Sequence, residues 1–168
     1  MFTQYLWKSA FIKCRMKLNI PYHKQGKNTT CGVACLRMVM AFYGKEVSEF
    51  ELEEASETGW IGNTCGELVR GVGEFGFAAE EVDHVTPEYL LSQIENNCPL
   101  IALIDPAVLY GGIEGFGHFV IITGIEGDKI YYNDPDLDRD MVRDVSDFAK
   151  AWKKFSFKGV RVWKSMKK

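Results

Sequence analysis

At 168 residues, with 46% hydrophobic and 26% charged side chains, the chain has the size and composition of one globular domain with a real core. Twenty Lys and Arg against 23 Asp and Glu leave a formal charge of −3, which gives no electrostatic reason to expect nucleic acid as a partner. No apolar run approaches the ~20 residues of a membrane-spanning helix, so the chain is not expected to be membrane-spanning.

The first 17 residues are mildly apolar but are broken by Lys8 and Lys13, and they lack the form of a signal peptide. They are expected as an extension, either mobile or a short docking helix. One domain is expected over residues 18–164, followed by a short basic tail at 165–168. The five cysteines (Cys14, Cys31, Cys35, Cys65 and Cys98) are odd in number and scattered, unlike a secreted disulfide framework. Reduced thiols in a cytoplasmic protein are the simpler expectation, with Cys35, Cys65 and Cys98 as small buried hydrophobes.

A first helix is expected from Cys31 to Tyr43, with Thr30 as N-cap and Gly44 as its stop. Its apolar residues fall on most sides, which implies a buried central helix. Ser48-Glu49-Phe50-Glu51 and Thr64-Cys65-Gly66-Glu67 each have the form of a capping box and open two further helices. Thr86-Pro87 opens a fourth that runs to about Asn97.

The character then changes. Pro99–Ile104 suits a buried strand, and Asp105–Gly117 reads as a glycine-rich loop. His118–Ile125 is a second strand, Glu126-Gly127-Asp128 a tight turn, and Lys129–Tyr132 the returning strand. Ser146 caps a last helix through Phe155, and Val160–Trp163 alternates like a final strand. Helices first and strands later point to an α+β fold with a mainly antiparallel sheet.

The chemistry concentrates on a few residues. Cys31 opens the buried helix, where unpaired N–H groups and the positive end of the helix dipole favour an anionic sulfur. Thiolate is the nucleophilic form of cysteine. Gly32 is expected to let a substrate backbone pass close to that sulfur. Gln25, six positions upstream, can aim its amide at an oxyanion together with the Cys31 N–H. Taken singly, Cys31 reads as a buried helix-start thiol and Gln25 as a surface amide; their spacing and a downstream histidine shift the balance.

Of three histidines, His23 and His84 read as hydrated surface residues. His118 stands at the head of an apolar strand beside flexible glycines, where it can reach a helix N-terminus and act as a base. The hairpin is expected to bring Asn133 and Asp134 level with it. Asp134 would accept the ring's Nδ1–H and Asn133 is the fallback. The loop from Asp105 to Gly117 should wall the cleft, with Tyr110, Phe116 and Gly117 facing a bound chain.

The run QGKNTTCGVACLRMVMAFYG, then GHFVIITGI, then YYNDPD, resembles the bacteriocin-processing peptidases. These double-glycine leader peptidases form family thirty-nine of the cysteine peptidases, in the papain-like superfamily. The resemblance covers Ile20 to Phe155. It implies a papain-like fold and a cysteine peptidase activity without metal or organic cofactor. Gln25 would serve the oxyanion hole, Cys31 would be the nucleophile, His118 the base and Asp134 the orienter. Thr30 is a departure, since that family often carries an acidic residue before the nucleophile. The chain is expected to be a free-standing member without an attached transporter; its partners would be a peptide substrate, such as a double-glycine leader, and a separate ABC exporter. Three alternatives stand beside this reading: an acyl transferase using the same triad, a non-catalytic peptide-binding module, and a metal site built from Cys31, Cys35 and His118. The last has an incomplete ligand set for zinc.

Overall fold

The computed structural model describes residues 2–11 and 13–166. Met1 and Ile12 of the extension and Lys167 and Lys168 of the tail lie outside the described residues.

The elements are α1 (Phe2–Ala10), β1 (Arg15–Lys17), α2 (Cys31–Phe42), α3 (Glu49–Ala55), α4 (Cys65–Gly71), β2 (Phe77–Val82), α5 (Pro87–Glu95), β3 (Leu100–Ile104), α6 (Pro106–Tyr110), β4 (His118–Glu126), β5 (Lys129–Asn133), β6 (Met141–Asp144), α7 (Val145–Lys153) and β7 (Gly159–Lys164). The strands form one antiparallel sheet in the order β2-β7-β3-β4-β5-β6, and β1 adds to β4. This is the α+β architecture, with a mainly antiparallel sheet, that the order of elements implied.

Alternation along β5 assigns the two layers. Tyr132 meets Phe148 of α7, with ring centroids 5.1 Å apart, whereas the next residue, Asn133, approaches the Met38 sulfur of α2 at 3.8 Å. Successive strand residues point to opposite faces, so α2 and α7 cover opposite faces of the sheet. Helix α2 is buried along Gly32–Leu36 and Met38–Met40. It stops where the expected glycine permits: Gly44 is left-handed (φ 84°), its N–H reaches the Ala41 carbonyl, and the Lys45 N–H reaches that of Met40. Ser48 and Thr64 each close a capping box, with Glu51 and Glu67.

The structure differs from the sequence expectation in several places; the last helix, for one, runs Val145–Lys153 with Asp144, not Ser146, at its N-cap position. Of the two forms expected for the N-terminal extension, the docking helix is present as α1, and it joins the core more closely than an extension would. Trp7 (2% exposed) packs with Trp152 and Phe157, and Phe11 (0%), one helical turn on, packs with Trp7. Residues 15–17 then pair with β4, Met16 opposite Ile125. The expected loop at 105–117 contains α6, because Asp105 caps it by accepting the Ala107 N–H and Pro106 occupies its first turn. Strands β2 and β6 had no legible alternation; FAAEEV gains its strand character from six residues of pairing with β7. Finally, Asn133 stands opposite Ile121, so Asp134 lies diagonally across from His118, not level with it; the register shift between Ile122 and Gly124 brings it one residue nearer than an unbroken ladder would.

Candidate active site

The site forms where the N-terminus of α2 meets the heads of β4 and the turn after β5. The loop ahead of α2 is cross-tied. Thr30 is buried and its hydroxyl donates to the Lys27 carbonyl at 2.9 Å while accepting the Lys27 N–H at 3.1 Å. It therefore gives α2 no side-chain cap, contrary to expectation. The first N–H groups of the helix are left beside the half-exposed Cys31.

Gln25 is anchored from the other side. Its backbone N–H donates to the Pro135 carbonyl at 2.8 Å, which ties its loop to the turn carrying Asp134. Its side-chain amide gives one N–H to the Lys27 carbonyl at 3.0 Å, leaving the second free.

His118 Nε2 donates to Asp134 Oδ1 at 2.7 Å. The ring is thus turned opposite to the expected tautomer, with Nε2 rather than Nδ1 facing the carboxylate. With Nε2 committed to Asp134, Nδ1 is the ring nitrogen that remains for the Cys31 thiol. Burial disfavours a charged ring, but the bonds and charges of Asp134 and Cys31 outweigh it and raise the His118 pKa to about 10.

Asp134 is fully buried and anchored on every side. Oδ1 also accepts the Asp136 N–H at 3.0 Å and the Leu137 N–H at 3.3 Å, and Oδ2 accepts the Tyr110 hydroxyl at 3.1 Å. Tyr22 donates its hydroxyl to the Asp134 carbonyl at 2.9 Å. Burial would raise the carboxyl pKa; the His118 bond and charge, the Asp136 N–H and Tyr110 prevail and hold it below the ordinary value. Asn133, the fallback orienter, is used elsewhere: its Oδ1 accepts the Asp140 N–H and its amide donates to the Ile20 carbonyl. His23 pairs with Glu46 and His84 with Asp83.

A cleft of about 570 Å³ opens beside Cys31, walled by Thr29, Gly62, Leu103, Gly117, Phe119 and Phe155. Gly117 is in the wall as expected. Gly32 is not; a Cβ there would lie 2.9 Å from Leu68 and 3.1 Å from Phe119, so its missing side chain serves packing beneath the helix. Tyr110 belongs to a smaller hollow of about 290 Å³ on the far side of His118, with its hydroxyl turned to Asp134. Phe116 is 68% exposed and lines neither hollow. The Gly62, Leu103 and Phe155 contributions were not foreseen, because a wall assembled from three separate elements has no local spacing.

The other thiols differ from Cys31. Cys35 is wholly buried and its pKa is pushed well up by that burial. Cys65 also borders the cleft, and burial with the nearby Glu81 raises it to about 12, which keeps it a neutral thiol. Among the described residues no three His, Cys, Asp or Glu side chains converge to hold a metal ion, and no helix is long and apolar enough to cross a membrane.

Comparison with known proteins bears on the family and the fold. The lactococcin-G-processing and transport ATP-binding protein LagD of Lactococcus lactis is 29% identical over 122 residues, covering 73% of this chain and 16% of LagD. The chain thus spans about one sixth of that relative's length. The peptidase domain of Streptococcus ComA, a bi-functional ABC transporter involved in quorum sensing, superposes with a TM-score of 0.68 at 21% identity, over 91% of this chain and 100% of that one. A double glycine motif protease from an AMS/PCAT transporter, solved in complex with the leader peptide, gives a TM-score of 0.69 at 22% identity, over 90% of this chain and 96% of that one. The peptidase C39 family model matches residues 19–157. The chain belongs to the peptidase C39 family of cysteine peptidases.

Proposed function

We propose that the chain cleaves a peptide bond through a Cys31–His118–Asp134 triad, with a double-glycine leader as its substrate. The observation that carries this reading is the bond from His118 Nε2 to buried Asp134, which leaves Nδ1 for the Cys31 thiol. Nδ1 takes the thiol proton and the sulfur attacks the substrate carbonyl. The negative charge that develops on the carbonyl oxygen is met by the free N–H of the Gln25 amide and by the Cys31 N–H. His118 then returns the proton to the leaving amine, and water, deprotonated by the same ring, releases the acyl group.

The substrate part of the proposal draws on the relatives. LagD is named for processing lactococcin G, and the AMS/PCAT protease carries a bound leader peptide. On this reading Gly117 and Gly62, both in the lining of the cleft, leave room for the substrate backbone and little else at the cut. A partner exporter, supplied as a separate chain or a further domain, belongs to the same proposal.

The test is cleavage of synthetic peptides that end their leader in Gly-Gly, Ala-Ala or Leu-Leu. Gly-Gly should be cut after its second glycine, and Ala or larger should slow the reaction at least tenfold, about 1.4 kcal/mol of barrier. Equal cleavage of all three refutes the leader substrate and leaves the peptidase standing. No cleavage of any, with Cys31 unreactive, refutes both.

A further inference from the structure

Tyr110 and Tyr132 form a hydrogen-bonded pair that ends on the carboxylate of the triad. The two hydroxyls are 2.7 Å apart, and the Tyr110 hydroxyl is 3.1 Å from Asp134 Oδ2. A hydroxyl has one proton. Ionised Asp134 can only accept, so Tyr110 donates to it and Tyr132 donates to Tyr110. Donors therefore converge on Asp134 from two sides, Tyr132 through Tyr110 on one and His118 on the other.

The setting holds this order. Tyr132 is 0% exposed, and its ring is clamped against Phe148. The Arg143 guanidinium of β6 lies 5.2 Å from the Tyr110 ring centroid. Desolvation raises the pKa of both phenols, which keeps them protonated donors. Around Asp134 the other ionisable groups are His118 of β4, Cys35 of α2, Tyr22 of the N-terminal loop, and Asp136 and Asp138 of its own turn. Of these side chains, only His118 and Tyr110 hydrogen-bond its carboxylate.

We infer that Tyr110 is a positioning residue of the reaction: its hydroxyl fixes the rotation of the Asp134 carboxylate, so that Oδ1 stays aligned with His118 Nε2, and Tyr132 fixes Tyr110. The two backbone N–H groups hold Oδ1 alone. Without the phenol, Oδ2 has no donor and the carboxylate can turn about its own axis. Tyr110 also ends α6 immediately before Gly111 (φ 81°), where the loop toward the cleft-lining Gly117 begins. Position of that loop and alignment of the triad therefore share one side chain. The inference rests on the triad reading above, but its readouts are independent of any substrate.

The experiment compares Tyr110→Phe, Tyr132→Phe and the double variant in the full chain. The Nε2–H proton resonance of His118 should be strongly downfield and slow to exchange in the wild type, and it should move upfield and exchange faster in Tyr110→Phe. Where a Gly-Gly peptide is cleaved, kcat should fall about tenfold, about 1.4 kcal/mol of barrier, with KM unchanged. The alkaline limb of the rate profile should move to lower pH, because a loosened carboxylate stabilises the imidazolium less. Tyr132→Phe leaves the Tyr110 bond in place and should cost about threefold or less, and adding it to Tyr110→Phe should cost nothing further. Should Tyr110→Phe fail to fold, 3-fluorotyrosine at position 110 keeps the shape and hydroxyl while strengthening the donor; the His118 resonance should still move. A resonance unmoved in either protein, or a Tyr132→Phe loss larger than that of Tyr110→Phe, overturns the inference. An inert Cys31 in the wild type would instead defeat the triad reading itself.

Discussion

Asp134→Asn separates the charge of the orienter from its shape. In the native turn Oδ1 accepts three N–H groups, from His118, Asp136 and Leu137, so the amide oxygen must remain there. The amide nitrogen takes the place of Oδ2 and faces the Tyr110 hydroxyl, which can accept from it. The turn should survive, and what disappears is the negative charge beside the imidazolium. Two unit charges ~4 Å apart attract by about 4 kcal/mol at an effective dielectric constant of ~20, which corresponds to roughly three pKa units. The His118 midpoint should therefore fall from about 10 to roughly 7.

The sign for stability follows from the direction of the shift. A ring whose folded pKa is raised above its ordinary 6.5 contributes stability that is complete below 6.5 and is lost as pH rises through about 10. The stability gap between wild type and Asp134→Asn should be widest near pH 6 and close as the pH passes 10. The chain has three histidines, so NMR titration of the ring protons can be assigned by single substitution, and urea unfolding at several pH values gives the gap. A midpoint that moves by less than about one unit, or a gap that widens with rising pH, would refute the argument that Asp134 holds the imidazolium.

Two further predictions concern packing. Trp7→Ala removes a side chain 2% exposed among Phe11, Trp152 and Phe157 and should cost about 3–5 kcal/mol in urea unfolding; a change under 1 kcal/mol would show that the N-terminal segment is not part of the folded unit. Gly32→Ala presses a methyl group to 2.9 Å from Leu68 and should cost about 1–3 kcal/mol. Unaltered stability with a raised KM would instead return Gly32 to the substrate.

The legible parts of this molecule were those encoded locally. Capping boxes at Ser48 and Thr64, the Thr86-Pro87 start and the Gly44 stop are short-range patterns whose physics is complete within four or five residues. The α2 start at Cys31 and the hairpin after His118 belong to the same class, and together they brought His118 and Asp134 into contact. Asp105-Pro106 carried the same cap-and-proline signal as Thr86-Pro87, but the glycines that follow masked it. What was not legible depends on partners distant in sequence. Trp7 becomes core only when α7 presents Trp152, and FAAEEV becomes a strand only against β7. The His118 nitrogen that faces Asp134 is set by a bond spanning 16 residues, which no local spacing records. Tyr110 was read as a cleft wall because a loop aromatic beside glycines offers apolar surface; its hydroxyl bond to Asp134 spans 24 residues and leaves no trace in spacing.

The central claim is that Cys31 is the activated nucleophile, and a brief iodoacetamide pulse at mildly acidic pH tests it directly. Cys31 is half-exposed at a helix start beside His118, whereas Cys35, Cys65 and Cys98 are buried, and Cys14 is held in its thiol form chiefly by burial. Mass spectrometry of the digested protein should find the label on Cys31 ahead of the other four cysteines, and His118→Ala should abolish that preference. Labelling led by Cys14 or Cys65, or a preference for Cys31 that survives the loss of His118, would contradict the account.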